Sequence, residues 1–167
     1  ERINLGELVS EAASEAQLNI QSNSSNGTSN YGEISVGIKC DEHIFIEADR
    51  FHFKNVVATL LDNAMKYAPT GDGRKIDIAV SVQRNEVKGE VKIAVADNGC
   101  GIAKEHLSHV FEKFYRVPTG DIHTVRGYGL GLYYAKQVAE LHKGTISMNS
   151  RVGKGTMVTI KLPRNEQ

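Results

Sequence analysis

From Ile76 to Val82 the chain is apolar at every second residue. Ile76, Ile78, Val80 and Val82 fall on one face of an extended strand, while Asp77 and Ser81 fall on the other. Val158, Ile160 and Leu162 repeat the pattern against Thr159 and Lys161 near the C-terminus. Strands buried on both faces, as in a doubly wound parallel sheet, read instead as continuous apolar runs. The alternation therefore predicts a sheet with one face on the core, one face in water and much antiparallel pairing. With helices laid on the inner face the fold class is α/β, a two-layer sandwich, and a dinucleotide-binding fold is disfavoured.

The helices follow from a different period. Leu5, Leu8, Val9, Ala12 and Ala16, with the flanking Ala13, recur at helical spacing over Leu5 to Leu18. The Ser/Asn/Gly-rich run from Gln21 to Gly32 then reads as a solvated loop. Ile34 to Ile38 and Ile44 to Ala48 look like strands around a polar turn, Cys40 to His43. Asp49 can cap a helix carrying Phe53, Val57, Leu60, Leu61 and Ala64 on one stripe, to be ended by Pro69 and Gly71. Strands are expected at Ile76 to Val82, Val91 to Asp97, Thr145 to Ser150 and Thr156 to Leu162. Between them fall a short helix around Lys104 to Val110 and a helix from Gly127 to His142, with Leu130, Tyr134, Val138 and Leu141 on its core side.

At 167 residues this pattern fills one domain, 1–167. Lys plus Arg and Asp plus Glu both number 20, so no overall field draws in nucleic acid or an anionic membrane, and a charged ligand needs a local site. No apolar run approaches the ~20 residues of a membrane span. Cys40 and Cys100 stand far apart without metal-ligand spacing and no signal peptide precedes them, which points to a reduced, cytoplasmic setting. A start at Glu1 rather than Met reads as a piece cut from a longer protein.

Three places hold residues with chemistry. Continuing the alternation of Val91, Ile93 and Val95 puts Asp97 on the apolar face, where a carboxylate needs a specific donor from the protein or from a ligand. Gly99 and Gly101 beyond it let backbone approach a flat ligand, so an amine on a planar base would fit; a carboxylate capping the next turn would fit as well. Asn63, Lys66 and Tyr67 share one helix face, suited to a hard cation and to phosphate oxygens, or simply forming a polar helix end. Gly127, Gly129 and Gly131 precede a helix and can expose N–H groups to phosphate, or merely allow close packing. The dinucleotide fingerprint and the Gly-x-x-x-x-Gly-Lys-Ser/Thr loop do not match.

Taken in order, Leu60 to Tyr67, Asp97 to Ile102, Val110 to Arg116, Gly127 to Leu132 and Gly153 to Thr156 resemble the N, G1, F, G2 and G3 boxes of sensor histidine kinases, over nearly the whole chain. The resemblance implies the Bergerat ATP-binding fold shared with the gyrase, Hsp90 and MutL ATPases, a mixed and mostly antiparallel sheet with helices on one face. It implies ATP and Mg²⁺, with Asn63 as metal ligand and Lys66 as a phosphate contact. Tyr67 would wall the base pocket, Asp97 would accept from the adenine amine, and Gly99, Gly101 and Ile102 would line the base. Gly127, Tyr128, Gly129, Leu130, Gly131 and Leu132 would line the phosphates and hinge a lid, Phe111 and Phe114 would anchor it, and Gly153 to Thr156, with Thr156 as a ligand contact, would close the far side. Asn63, Lys66 and Arg116 would act in catalysis, Arg116 at the terminal phosphate. The lid would be Glu112 to Arg126, ordering on the triphosphate.

The acceptor expected in such kinases is a histidine followed by Asp or Glu on a dimerising helical hairpin. The six histidines, His43, His52, His106, His109, His123 and His142, all lack that context. The resemblance therefore makes this the catalytic domain without its phosphotransfer hairpin. The hairpin would be its direct partner, a response-regulator receiver domain an indirect one, and the parent could be anchored in the inner membrane. Thr59, four residues before Asn63, stands where the related ATPases carry a water-activating glutamate, which weighs against hydrolysis. An ATPase or serine-kinase module, or a nucleotide sensor without turnover, are the alternatives.

Overall fold

The computed structural model describes residues 1–25, 33–41, 43–66, 74–117 and 130–164, with the backbone alone for 23–25. Strands β2 (Ile34–Cys40), β4 (Ile76–Asn85), β5 (Glu90–Asp97), β7 (Gly155–Pro163) and β6 (Thr145–Arg151) form one five-stranded sheet in the order β2-β4-β5-β7-β6. Only β2 and β4 run parallel; the other three pairings are antiparallel. Ile76, Ile78, Val80 and Val82 are buried, as are Val91, Ile93, Val95, Val158, Ile160 and Leu162, so the alternating face is the core face. Helices α1 (Leu5–Ser25), α2 (Arg50–Lys66) and α4 (Gly131–Leu141) pack on it, completing the expected two-layer sandwich. Thr159, assigned by alternation to the wet face, is nevertheless buried; its register neighbours are Ala94 and Ser147.

Local chemistry sets the helix starts. Asn4 Oδ1 accepts from the N–H of Gly6 at 3.0 Å and heads α1, and Asp49 Oδ1 accepts from the N–H of His52 at 3.0 Å and caps α2. Leu5, Leu8, Val9, Ala12, Ala13 and Ala16 are the packed part of α1. The helix continues through Ser25, into the stretch expected to be loop, because backbone hydrogen bonding carries on after the apolar stripe ends; Leu18 is already exposed. Glu11 bridges Arg50 and Lys54, and Glu15 reaches Lys54, which ties α1 to α2.

Strands lie on both sides of Cys40 to His43, as expected; β3 (Phe45–Glu47) pairs with β1 (Arg2–Asn4) in a separate two-stranded sheet, with buried Ile3 opposite buried Ile46. Two expectations need correction. The helix after Ala103 is α3, Lys104–Leu107, followed by turns through Phe114 rather than helix to Val110. Helix α4 keeps Val138 on its core side as expected, but not the two leucines. Its buried stripe is Ala135, Val138 and Ala139, whereas Leu141 is 80% exposed, Leu130 is exposed and Tyr134 is half-buried. Small residues bring α4 close to its neighbours, and the large ones flank the contact. The expected helix residues 127–129, like the stop at Pro69 and Gly71 and most of the expected lid (118–126), lie outside the described residues.

Candidate functional site

On the core face the strands form rows in register: Ile93 beside Ile160 beside Ile146, then Val95 beside Val158 beside Met148, then Asp97 beside Thr156 beside Ser150. Two rows are apolar and the third is polar. Beside the polar row a cleft of about 320 Å³, open solvent included, is lined by Asn63 from α2, Asp97 and Thr156 from the row, Ile102 and Leu132. Leu60, Ala64, Val95, Met148 and Val158 supply its apolar walls.

Asp97 is held by main chain. The N–H of Gly99 donates to Asp97 Oδ1 at 2.8 Å. Burial pushes its carboxyl above the ordinary carboxylate range, and the backbone hydrogen bonds from Gly99 and Thr156 pull back only part of that shift. The same burial raises the Cys100 thiol, helped by the nearby Asp97 charge. Asn98 steadies the turn from the other side, its Oδ1 accepting from the N–H of Asp77 at 2.8 Å.

Two glycines of this region make room for neighbouring backbone. Gly101 has φ +74°, and a Cβ there would run into the carbonyl oxygen of Arg151; Gly155 has φ +116°, and a Cβ there would run into the carbonyl oxygen of Asp97. Gly153 N–H donates to Cys100 O at 2.8 Å. The turn after β5 and the turn between β6 and β7 are thus locked together backbone to backbone. At the cleft's other end a Cβ on Gly131 would stand 2.9 Å from the Thr59 methyl, so this glycine serves close packing of α4 on α2.

Asn63, Asp97, Ile102, Leu132 and Thr156 are therefore gathered in one cleft. Lys66 lies one turn beyond Asn63, with its Nζ 2.7 Å from Asp62 Oδ2. Gly99 contributes its N–H to Asp97 and its carbonyl to Arg74 Nη2 at 3.4 Å. In the segment after α3, Val110 is the buried residue and Phe111 is half-buried, while Phe114 is 64% exposed with φ +66°. Arg116 and Leu130 are exposed. Tyr67, Gly127, Tyr128 and Gly129 fall outside the described residues. His106 and His109, expected to be a solvated helix face, both meet Tyr115: the first through its hydroxyl, the second by ring stacking at 5.3 Å.

Ser150 was not foreseen. Its Oγ accepts from the N–H of Ile102 at 2.7 Å, and it lies 3.0 Å from Gly155 O and 2.8 Å from Thr156 Oγ1. The parity that singled out Asp97 applies to it too, because Ile146, Met148 and Ser150 share one face of β6.

Among solved structures, the mycobacterial sensor histidine kinase MprB superposes with a TM-score of 0.78 at 23% identity, covering 99% of this chain and all of that one. Full-length ShkA, solved in complex with AMPPNP, superposes with a TM-score of 0.74 at 20% identity over 98% of this chain and 30% of that one. In sequence, the sensor protein RprX of Bacteroides fragilis is 42% identical over 132 residues, 79% of this chain, and the match spans about a quarter (24%) of RprX. A family model described as histidine kinase-, DNA gyrase B-, and HSP90-like ATPase matches residues 48–166, which hold the whole of the cleft, and the chain belongs to that family, as a domain homologous to those of sensor histidine kinases.

Proposed function

We propose that this domain binds Mg·ATP in the cleft and donates the terminal phosphoryl group to a histidine on the dimerising helical hairpin of its parent kinase. The observation that carries the reading is the polar row at the end of an apolar face, with the Asp97 carboxylate set among Ile102, Leu132 and Val158. A planar base can stack on such walls while its exocyclic amine donates to Asp97, which satisfies a carboxylate that burial otherwise disfavours. That ShkA was solved with AMPPNP, an ATP analogue, supports a nucleotide in this fold.

Asn63 faces the cleft from α2 and offers one amide oxygen. Among the described residues no group of three or more His, Cys, Asp or Glu could hold a metal ion. A single protein oxygen fits Mg²⁺, which keeps several waters and takes phosphate oxygens for the rest of its shell. When bound, the ion would neutralise phosphate charge. Lys66 is paired to Asp62 across a part-exposed surface, and pairs of that kind are weak enough to be exchanged for a phosphate. Transfer is then largely positioning and charge neutralisation, and the acceptor must come from the hairpin.

Hydrolysis is the second reading. Thr59 turns its methyl to Gly131 and offers no carboxylate to ready a water, which favours transfer over an ATPase cycle. Incubating the chain with γ-labelled ATP, alone and with a separately made dimeric hairpin carrying its histidine, tests the choice. Acid-labile label on the hairpin is expected, with weak transfer because the tether is missing. Brisk phosphate release by the chain alone would move the reading to the ATPase, acid-stable label to a serine kinase, and binding without any transfer to a nucleotide sensor.

A further inference from the structure

We infer that Ser150 is the positioning residue that makes Thr156 present only acceptor lone pairs to the cleft, and that it thereby sets the preference for a 6-amino over a 6-oxo purine. The inference rests on the adenine-nucleotide reading above.

The Ser150 hydroxyl has one proton and two lone pairs. Its Oγ has three neighbours: the Ile102 N–H at 2.7 Å, the Gly155 carbonyl at 3.0 Å and the Thr156 hydroxyl at 2.8 Å. The amide can only donate and the carbonyl can only accept. All three contacts are therefore made at once in a single arrangement, in which Ser150 gives its proton to Gly155 O and accepts from both Ile102 N–H and Thr156 Oγ1–H. Thr156, buried and lining the cleft, has then spent its proton on Ser150. What its hydroxyl can then offer a ligand is lone pairs. Its register neighbour Asp97 is a carboxylate, so the two polar side chains of this wall are both acceptors. Such a wall takes an exocyclic amine and repels a carbonyl oxygen in the same place, and a buried mismatch of that kind is the strongest basis for rejecting one isostere for another.

The test is calorimetric titration of the full chain with Mg·ATP and Mg·GTP, alongside thermal melting. Ser150→Ala frees the Thr156 proton to turn inward, so the ATP-to-GTP affinity ratio should narrow about tenfold, the scale of one misplaced buried hydrogen bond, with the protein still folded. Thr156→Val removes the hydroxyl altogether and should also narrow the ratio, and in that background Ser150→Ala should change it no further. This cycle keeps the test available if the single Ser150 variant folds poorly. An unchanged ratio in folded Ser150→Ala or Thr156→Val, equal losses for both nucleotides, or a further change in the double variant would each overturn the assignment of Ser150. A parent chain that binds neither nucleotide would instead overturn the proposed function from which it starts.

Discussion

The two ends of the cleft are built differently. At the strand end, Asp97, Thr156 and Ser150 stand in one row across three paired strands, and the turns beside them are interlocked through Gly101 and Gly155. At the helix end, Asn63 and Lys66 close α2, Gly131 opens α4, and the flanking side chains Leu130, Phe114 and Arg116 are exposed. Hydrogen bonds from main chain hold the first end. Long side chains on a helix end hold the second, and they can change partners at little cost, as the Lys66–Asp62 pair illustrates. Shape recognition of a base suits the rigid end. Charge neutralisation around a triphosphate, which must admit substrate and release product, suits the adjustable end.

The sharpest way to break this contrast is at Gly155. Gly155→Ala puts a methyl against the Asp97 carbonyl at a φ that side chains rarely adopt. The expected result is a loss of several kcal/mol, above the ~1 kcal/mol of an ordinary substitution, seen as a lower denaturation midpoint together with lost nucleotide binding. A folded variant of parental stability would show that the two turns are not locked.

Asp97→Asn should act on recognition while leaving the fold in place. ATP affinity is expected to fall more than tenfold, since the amide nitrogen opposes the base amine with a donor. Unchanged affinity by calorimetry would take Asp97 out of the base contact and move recognition elsewhere. Asn63→Ala probes the adjustable end and should have a smaller effect: the Mg²⁺-dependent part of nucleotide affinity disappears while a metal-independent part remains. A parental response to added Mg²⁺ would remove the ion from Asn63.

The rigid end was the more legible in the sequence because strand parity is strict. One rule, period two from Val91, places Asp97 on the core face, and applied to Ile146 and Met148 it would have placed Ser150 there as well; a lone Ser simply attracts less notice than a buried carboxylate. Helix phase was harder to read. The α4 contact is made by Gly131, Ala135, Val138 and Ala139, and a search for large apolar residues instead picks out Leu130 and Leu141, which are exposed. The pairing of β1 with β3 was not readable at all, because three residues carry no period. Nor does spacing reveal what a glycine makes room for: Gly101 accommodates Arg151 and Gly155 accommodates Asp97, both distant in sequence.

The smallest effect separates the two ends by pH. Burial raises the Asp97 carboxyl in the folded protein, so between its unfolded and folded values the native state binds the extra proton. A group shifted in this direction makes the empty protein less stable as pH rises through that window, with the penalty in full above the folded value. Asp97→Asn removes the penalty. The variant should therefore melt slightly above the parent at neutral pH without nucleotide, and the gap should close as pH falls toward the ordinary carboxylate range. Nucleotide binding should show the opposite trend in the parent, weakening as Asp97 is protonated, because the neutral acid is a poorer acceptor for the base amine. Asn63→Ala should leave the pH course of melting as it is in the parent, since no carboxylate is removed. If instead Asp97→Asn lowered the melting temperature at every pH, Asp97 would be a net stabiliser of the turn rather than a group held ready for a ligand, and the strand end would lose the feature that marks it as the recognition end.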